Sequence, residues 1–333
     1  MSTIRDVARR AGVSSSTVSL TFNDSDRVSE ETARKVWAAA RELGYSPNPL
    51  AQSLKRGRTN LIGMVVGELS NPFFTILLRE IEQLARQAGF DVLVAQSGAD
   101  QERELSVLNH LASLRVAGIL LFPHGSGPEY VNQLKAIETP IVTVDHKVDH
   151  TEFDFVCSDN RLAASILTEH LLRLGHTRIT QISGPPHLWS AVERVVGFKN
   201  TMASSGIEEV DIVNGGYVTD LAYDETMVLL TRENPPTAIL AANNLMGLGC
   251  LSAMQDLGYK CPDDISLVAI DNLPWSEIFH PNLTVVAQNQ QELAQKSINF
   301  LLDRIDADNP FTGAGRESVL MPKFVLGNST QRL

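Results

Sequence analysis

The sequence predicts an α/β protein in two parts: a small N-terminal all-α head with a helix-turn-helix, and a body of two doubly wound parallel sheets. Three observations carry that expectation. The first forty-five residues hold three short amphipathic helical patterns, each with its own start signal. From Leu61 onward, short continuous apolar runs alternate with helical spacing through the rest of the 333 residues, the pattern of parallel strands wrapped by helices. The charge is also divided unevenly. Residues 1–60 carry ten Arg and Lys against six Asp and Glu, a surplus of +4, while the whole chain sums to −11, leaving −15 on the body. A basic head on an acidic body points to a polyanion partner for the head alone.

In the head, Thr3 is placed to N-cap a helix whose apolar residues Ile4, Val7, Ala8 and Ala11 form one stripe, with Gly12 ending it. Ser14 caps a second helix over 15–22, with Val18 and Phe22 facing inward and Ser15, Ser16, Ser19, Leu20 and Asn23 outward. A third helix opens at Ser29, with Glu30 and Glu31 in the first turn, where the helix dipole favours anions. Its inner stripe is expected to be Ala33, Val36, Trp37, Ala40 and Leu43, and Gly44 closes it. Two helices joined by a tight Gly-containing turn, plus a third completing a core, make a helix-turn-helix unit. The outward face of the second helix is slender and nearly uncharged, so it suits a major groove, where hydroxyls reach phosphates or base edges.

A connector follows. Asn48 can cap, Pro49 fits the first turn, and Gly57 terminates a helix of about two turns, well below the ~12–15 residues at which isolated helices become stable in water. It should therefore be ordered only when something packs on it.

Strands are expected in the body at 61–66, 91–95, 118–122 and 141–144, each continuous in apolar residues and so buried on both faces, and the series resumes at 179–183, 238–241 and 265–270. Helices are expected at 74–88, 101–114, 129–137, 162–174, 192–205, 223–232, 245–257 and 290–305. Ligands of open α/β sheets lie beyond the carboxyl ends of the strands. The loops there offer Asn71-Pro72-Phe73-Phe74, His124, Asp145-His146, Ser190 and Arg194, Tyr217, Asn243-Asn244, and Asp271 with Asn272 and Trp275. Aromatics with a few convergent polar groups suit a small polyhydroxylated molecule.

Several functions are disfavoured. No Gly-x-Gly-x-x-Gly follows the first strand and no phosphate-loop motif occurs; neither a Gly-x-Ser-x-Gly elbow nor a His-Glu-x-x-His pair is present. Cys157, Cys250 and Cys261 make neither a disulfide framework nor a zinc set, so no metal, no cofactor and no catalytic residue is expected. No apolar run reaches the ~20 residues that span a bilayer, and the N-terminus lacks a secretory h-region. A reducing cytoplasm fits.

The run Ile4 to Ser19 (IRDVARRAGVSSSTVS), continued by Asn23, Val28-Ser29, Leu43-Gly44-Tyr45 and Pro47-Asn48, resembles the headpiece of the LacI/GalR family of bacterial transcriptional regulators. That resemblance implies a division into residues 1–46 as DNA-binding head, 47–59 as hinge helix and 60–333 as effector-binding core. It implies base reading by Ser15, Ser16 and Leu20, and backbone positioning by Thr17, Ser19 and Asn23. Ala51, Leu54 and Lys55 fall among hinge contacts in the minor groove, Leu54 as the wedge between base steps. Leu20 departs from the Arg or His common at its position, and an aliphatic side chain cannot make the bidentate bond to guanine.

The body resembles the same family's core, which is similar to periplasmic sugar-binding proteins. The match rests on Ser70 to Phe74, Val144-Asp145, Asp159-Asn160, Leu174-Gly175-His176, Arg194, Gly197-Phe198, Pro262 to Ser266 and Asp271-Asn272. It implies a periplasmic-binding-protein-like pair of subdomains, one near 60–160 and 289–320, the other near 161–288 and 321–333. Effector contacts would fall on Phe73, Phe74, His124, Asp145, Ser190, Arg194, Tyr217, Asn243 and Asp271. Asn244 departs from the Asp often found there. His124 and His146 would also suit an anionic ligand such as a sugar phosphate or sugar acid. The expected protein is a homodimeric repressor of double-stranded operator DNA, tuned by a small sugar-like effector. The rival readings are a solute-binding protein of a transport system and a sugar-modifying enzyme using Asp145 with His146.

Overall fold

The computed structural model describes residues 2–23, 27–45, 58–148, 152–273, 278, 280–307 and 314–333. It divides into two units, a head and a body.

The head holds α1 (Ile4–Ala11), α2 (Ser15–Asn23) and α3 (Glu30–Glu42). Its start signals work as expected. Thr3 and Asp6 form a reciprocal capping box, Ser14 Oγ accepts from the Thr17 N–H at 3.0 Å, and Ser29 Oγ accepts from Thr32 at 3.3 Å. Gly12 ends α1 at φ +70°, a left-handed conformation that glycine adopts without a Cβ penalty. Val7, Ala8, Val18, Val36, Ala39 and Ala40 form the buried core. Trp37, expected inside, is instead 43% exposed and meets Phe22 edge-on at 4.8 Å. Ala39 takes the inner place, because a bundle this small has no room for an indole next to Val36.

The body contains two six-stranded sheets of matching topology. The first comprises β1 (Leu61–Val66), β2 (Asp91–Gln96), β3 (Gly118–Leu121), β4 (Ile141–Val144), β5 (Asp154–Ser158) and β11 (Glu317–Leu320), in the order β11-β5-β4-β3-β1-β2. All its pairings are parallel. The second comprises β6 (Ile179–Ser183), β7 (Asp211–Asn214), β8 (Ala238–Ala241), β9 (Ser266–Ile270), β10 (Thr284–Ala287) and β12 (Lys323–Val325), in the order β12-β10-β9-β8-β6-β7. Only β12 runs antiparallel, against β10. The chain crosses between sheets after β5, after β10 and between β11 and β12.

Helices cover both faces: α4 (Pro72–Gln87), α5 (Gln101–Ser113) and α6 (Gly127–Lys135) in the first half, then α7 (Asn160–Arg173), α8 (Trp189–Ser204), α9 (Thr219–Leu230) and α10 (Asn244–Leu257) in the second. The last, α11 (Gln290–Asp306), returns to pack on α4 and β3. The strand at 91–96, expected to be buried on both faces, is half-exposed because it is the sheet's edge. β5, β7, β10, β11 and β12 were not anticipated. No helix among the described residues is long and apolar enough to cross a membrane.

Candidate nucleic-acid interface and ligand site

On α2, Ser15 and Ser16 are exposed, while Thr17, Ser19 and Leu20 are half-buried. The Thr17 hydroxyl lies 2.8 Å from that of Ser14. The helix has no acidic residue in its first turn and no basic residue in its last, so its outward surface combines hydroxyls with an electropositive N-terminus. Ala51, Leu54 and Lys55, with the whole expected helix at 48–57, lie outside the described residues. So do the side chain of Asn23 and all of Trp275.

In the body, the carboxyl ends of strands from both sheets converge on a cavity of about 280 Å³. All nine residues expected to contact an effector line it: Phe73, Phe74, His124, Asp145, Ser190, Arg194, Tyr217, Asn243 and Asp271. The local reasons are readable strand by strand. Asn71 caps α4 through a 2.9 Å bond from the Phe73 N–H, and this places the two phenylalanines at the cavity edge of that helix. Phe73 and Phe74 meet edge-on at 5.2 Å, and Phe74 meets Phe122 at the same distance.

After β3, the His124 ring lies against Gly67, where a Cβ would come within 2.3 Å of it. The His124 and Gly125 N–H groups donate to the buried Glu104 carboxylate at 3.0 and 3.2 Å, and the Tyr130 hydroxyl donates to it at 2.5 Å. Burial and the Glu104 charge push the Tyr130 hydroxyl far above its ordinary pKa, so it stays a donor.

After β4, Asp145 takes φ +68°, which turns the chain so that Asp145 and His146 both face the cavity region. His146 Nε2 lies 3.5 Å from Asp145 Oδ2. Burial raises the Asp145 carboxyl above its usual range, against the pull of Arg194 and His124. Burial also takes the His146 imidazole well below its usual value, reinforced by His124 and Arg194, so the ring is neutral.

In the second half, Arg194 is buried on α8. Its Nε donates to Asn160 Oδ1 at 2.7 Å, Nη1 donates to the Ala242 carbonyl, and the guanidinium lies 5.5 Å from the Tyr217 ring centroid. Burial opposes its charge, but Tyr217, Asp145 and Asp271 outweigh that and raise its pKa. The planar fork read from sequence as aimed at a ligand thus has its Nε and one Nη1 donor bonded within the protein. Tyr217, at φ +63°, places its hydroxyl 3.0 Å from Ser190 Oγ. Asn243 caps α10 and donates to the Tyr217 carbonyl at 3.0 Å. Asp271, also at φ +68°, accepts from Gln288 Nε2 at 2.8 Å and from the Gln288 N–H at 3.3 Å. Burial raises its carboxyl too, against Arg194 and Gln288.

Asn244 is not among the lining residues. Its side chain donates to the Asn272 carbonyl at 3.3 Å and accepts from Leu245. Among the residues missing from the sequence-based set, Glu68, His187 and Gln288 line the cavity, and Glu104 lies behind His124. Gln288 follows β10, which is not among the strands expected from the sequence. Glu104, from α5, was hidden because nothing in its helical spacing marks it as buried. His176, read as structural, bonds to Thr237 and the Gln331 carbonyl at 3.0 and 3.1 Å. Among the described residues no cluster of His, Cys, Asp and Glu is fit to hold a metal ion.

Comparison with known proteins agrees with this arrangement. Residues 3–48 match the family model described as bacterial regulatory proteins, lacI family, and residues 168–330 match a periplasmic binding protein-like domain. The chain is 32% identical, over the full length of both, to the HTH-type transcriptional repressor PurR of Vibrio campbellii. Its fold is similar to that of the lac repressor dimer bound to operator and the anti-inducer ONPF, with TM-score 0.88, 29% identity and 99% of each chain covered. It is also similar to the transcriptional regulator CelR in complex with cellobiose, with TM-score 0.73, 28% identity, 99% of this chain and 100% of that one.

Proposed function

The chain belongs to the lacI family of bacterial regulatory proteins, and from that premise we propose that this DNA-binding transcriptional repressor is governed by a small sugar-like effector seated in the body's cavity. One observation carries the proposal: the nine effector-contact residues inferred from sequence, scattered over some 200 positions, line a single cavity at the carboxyl ends of the strands. The cellobiose bound by the similar CelR regulator supports a saccharide.

The repressor works as a homodimer in the bacterial cytoplasm, as the lac repressor dimer on its operator supports. Each head, residues 1–46, sets α2 in the major groove of one half-site of a near-palindromic operator. Ser15, Ser16 and Leu20 face base edges, and Thr17, Ser19 and Asn23 position the backbone. The connector, 47–59, pairs with its twin and enters the minor groove through Ala51, Leu54 and Lys55. The effector changes the rotation of one sheet against the other, and with it the spacing of the paired connectors. A coupling of ~1–3 kcal/mol between the sites is enough for a working switch. The cavity binds and does not catalyse; full-length relatives are repressors, which disfavours both the transport and the enzyme readings.

A thermal-shift screen of the full chain against sugars, sugar derivatives and sugar-free controls tests the reading, because a cavity ligand stabilises by mass action. The expected result is a saturable shift from a saccharide, lost in Arg194→Ala, and abolition of specific DNA binding when residues 1–58 are deleted. A truncated body that still bound the operator would overturn the division of labour.

A further inference from the structure

The groups the cavity leaves unpaired are nearly all of one kind. Four buried side-chain atoms on its lining residues have no hydrogen-bond partner: His124 Nδ1, Asp145 Oδ1, His146 Nδ1 and Gln288 Oε1. Asp145 Oδ1 and Gln288 Oε1 are acceptors by nature. In His146 the nitrogen nearest the Asp145 carboxylate is Nε2, at 3.5 Å. A neutral ring carries its single proton there, which makes Nδ1 an acceptor too. A buried acceptor without a donor costs about 1–3 kcal/mol, so the wall in which these three atoms are buried is rich in acceptors and short of donors.

The two sheets support their equivalent carboxylates unequally. Asp145 donates its N–H to the Val156 carbonyl and Asp271 donates its own to the Val286 carbonyl, both at 2.9 Å. The residue two beyond Val286 is Gln288, whose side chain reaches Asp271. The residue two beyond Val156 is Ser158, too short to reach; its own hydroxyl is buried and unpartnered. One carboxylate therefore has a protein donor at 2.8 Å, while the nearest to its counterpart is His146 Nε2 at 3.5 Å, on the Oδ2 side.

The charges agree with the hydrogen bonds. Glu68, Asp145 and Asp271 line the cavity against one guanidinium, Arg194, and that one is engaged by Asn160, the Ala242 carbonyl and Tyr217. Behind His124 lies a fourth carboxylate, Glu104, 3.8 Å from Nδ1. A sugar acid or sugar phosphate, which the two histidines admitted on sequence grounds, would bring its oxygens against acceptors and its charge against like charge.

We propose that the effector is a polyhydroxylated molecule bearing a protonated amine, an amino sugar or aminopolyol, with its ammonium against Asp145 and its hydroxyls toward Asp271 and Gln288. This rests on the cavity being the effector site. The ammonium supplies three donors and one positive charge, and so answers the Asp145 carboxylate.

The test is calorimetry on the full chain with matched sugars differing at one group: glucosamine, glucose and glucuronic acid, then galactosamine, galactose and galacturonic acid. The expected result in at least one set is an amine bound tenfold or more tighter than its hydroxyl parent, with the acid weakest. Asp145→Asn should erase the preference, bringing the amine down to the affinity of its hydroxyl parent in the same variant; asparagine tolerates the left-handed backbone at this position, so the loop is retained. An acid or parent sugar bound as tightly as the amine, or a preference that survives in Asp145→Asn, overturns the amine assignment and leaves the saccharide reading standing. Binding by no member of either set overturns both.

Discussion

Gly184 lies directly beneath the ring of Tyr217: a Cβ at that glycine would come within 2.2 Å of the ring carbon Cζ. Gly67 underlies the His124 ring in the same way, at 2.3 Å. Each glycine is the first residue after the leading strand of its sheet, so both halves of the body use a bare backbone to seat a ring at the cavity wall. Gly184→Ala is expected to push Tyr217 off its seat, breaking its contacts to Ser190 and Arg194. Ligand affinity should fall at least tenfold by calorimetry, with unchanged far-ultraviolet circular dichroism. Unaltered affinity would show that the ring's position is immaterial.

The unequal support of Asp145 and Asp271 gives a stability prediction. Gln288→Leu removes the side-chain donor from Asp271 Oδ2, leaving the 3.3 Å bond from the backbone N–H to Oδ1, and should cost about 1–3 kcal/mol in urea unfolding, the usual result of leaving a buried acceptor atom unpaired. Asp145→Asn removes a charge whose burial outweighs the pull of Arg194 and His124, and the unliganded protein should lose little or gain slightly. Equal losses would contradict the difference read from the two sheets.

Asp154, at the start of β5, is held by a double clamp. Arg304 donates to it at 2.7 and 3.0 Å, the Arg316 side chain at 2.7 and 3.2 Å, and the Arg316 N–H at 2.7 Å. Burial pushes its carboxyl up, but the bonds from Arg304 and Arg316 prevail and hold it at about 2. A depressed folded-state pKa gives stability that is fully present above the unfolded value near 4 and lost as pH falls through about 2. The contribution is roughly 2 kcal/mol at neutral pH. Asp154→Asn should therefore be clearly less stable than the parent at pH 7, and the gap should narrow between pH 4 and 2. A gap constant over that window would mean the clamp does not depend on the charge.

In the head, Leu20 is half-buried on α2 and carries no donor for guanine. Leu20→Arg should change the preferred base at one step of each half-site in a binding-site selection, with discrimination of about 1–3 kcal/mol. An identical selected sequence would remove position 20 from the base-reading set.

Legibility in the sequence followed the strength of the physical signal. β1, β3, β4, β8 and β9 sit inside their sheets and are nearly unbroken apolar runs; β6, also inside, carries Thr180, Gln181 and Ser183 beside its two isoleucines. β7, β11 and β12 lie at sheet edges and mix polar with apolar residues, so nothing local marks them. β11 pairs with β5 across more than 150 positions, and only the folded chain reveals that. The site followed the same rule: His124, Asp145, Asn243 and Asp271 come after readable strands and were found, whereas Gln288 comes after an unread one. Trp37 misled because helical spacing reports a face but not how much volume the neighbouring helices leave.

The central claim is that cavity occupancy controls the grip on DNA. Fluorescence anisotropy of the full chain on its selected operator, with and without a saturating ligand found in the thermal-shift screen, tests it directly. The expected result is a change in operator affinity of about 5–150-fold, matching a coupling of ~1–3 kcal/mol, of which Gly184→Ala should keep little at the same ligand concentration. A ligand that fills the cavity of the intact protein yet leaves operator affinity unchanged would contradict the account.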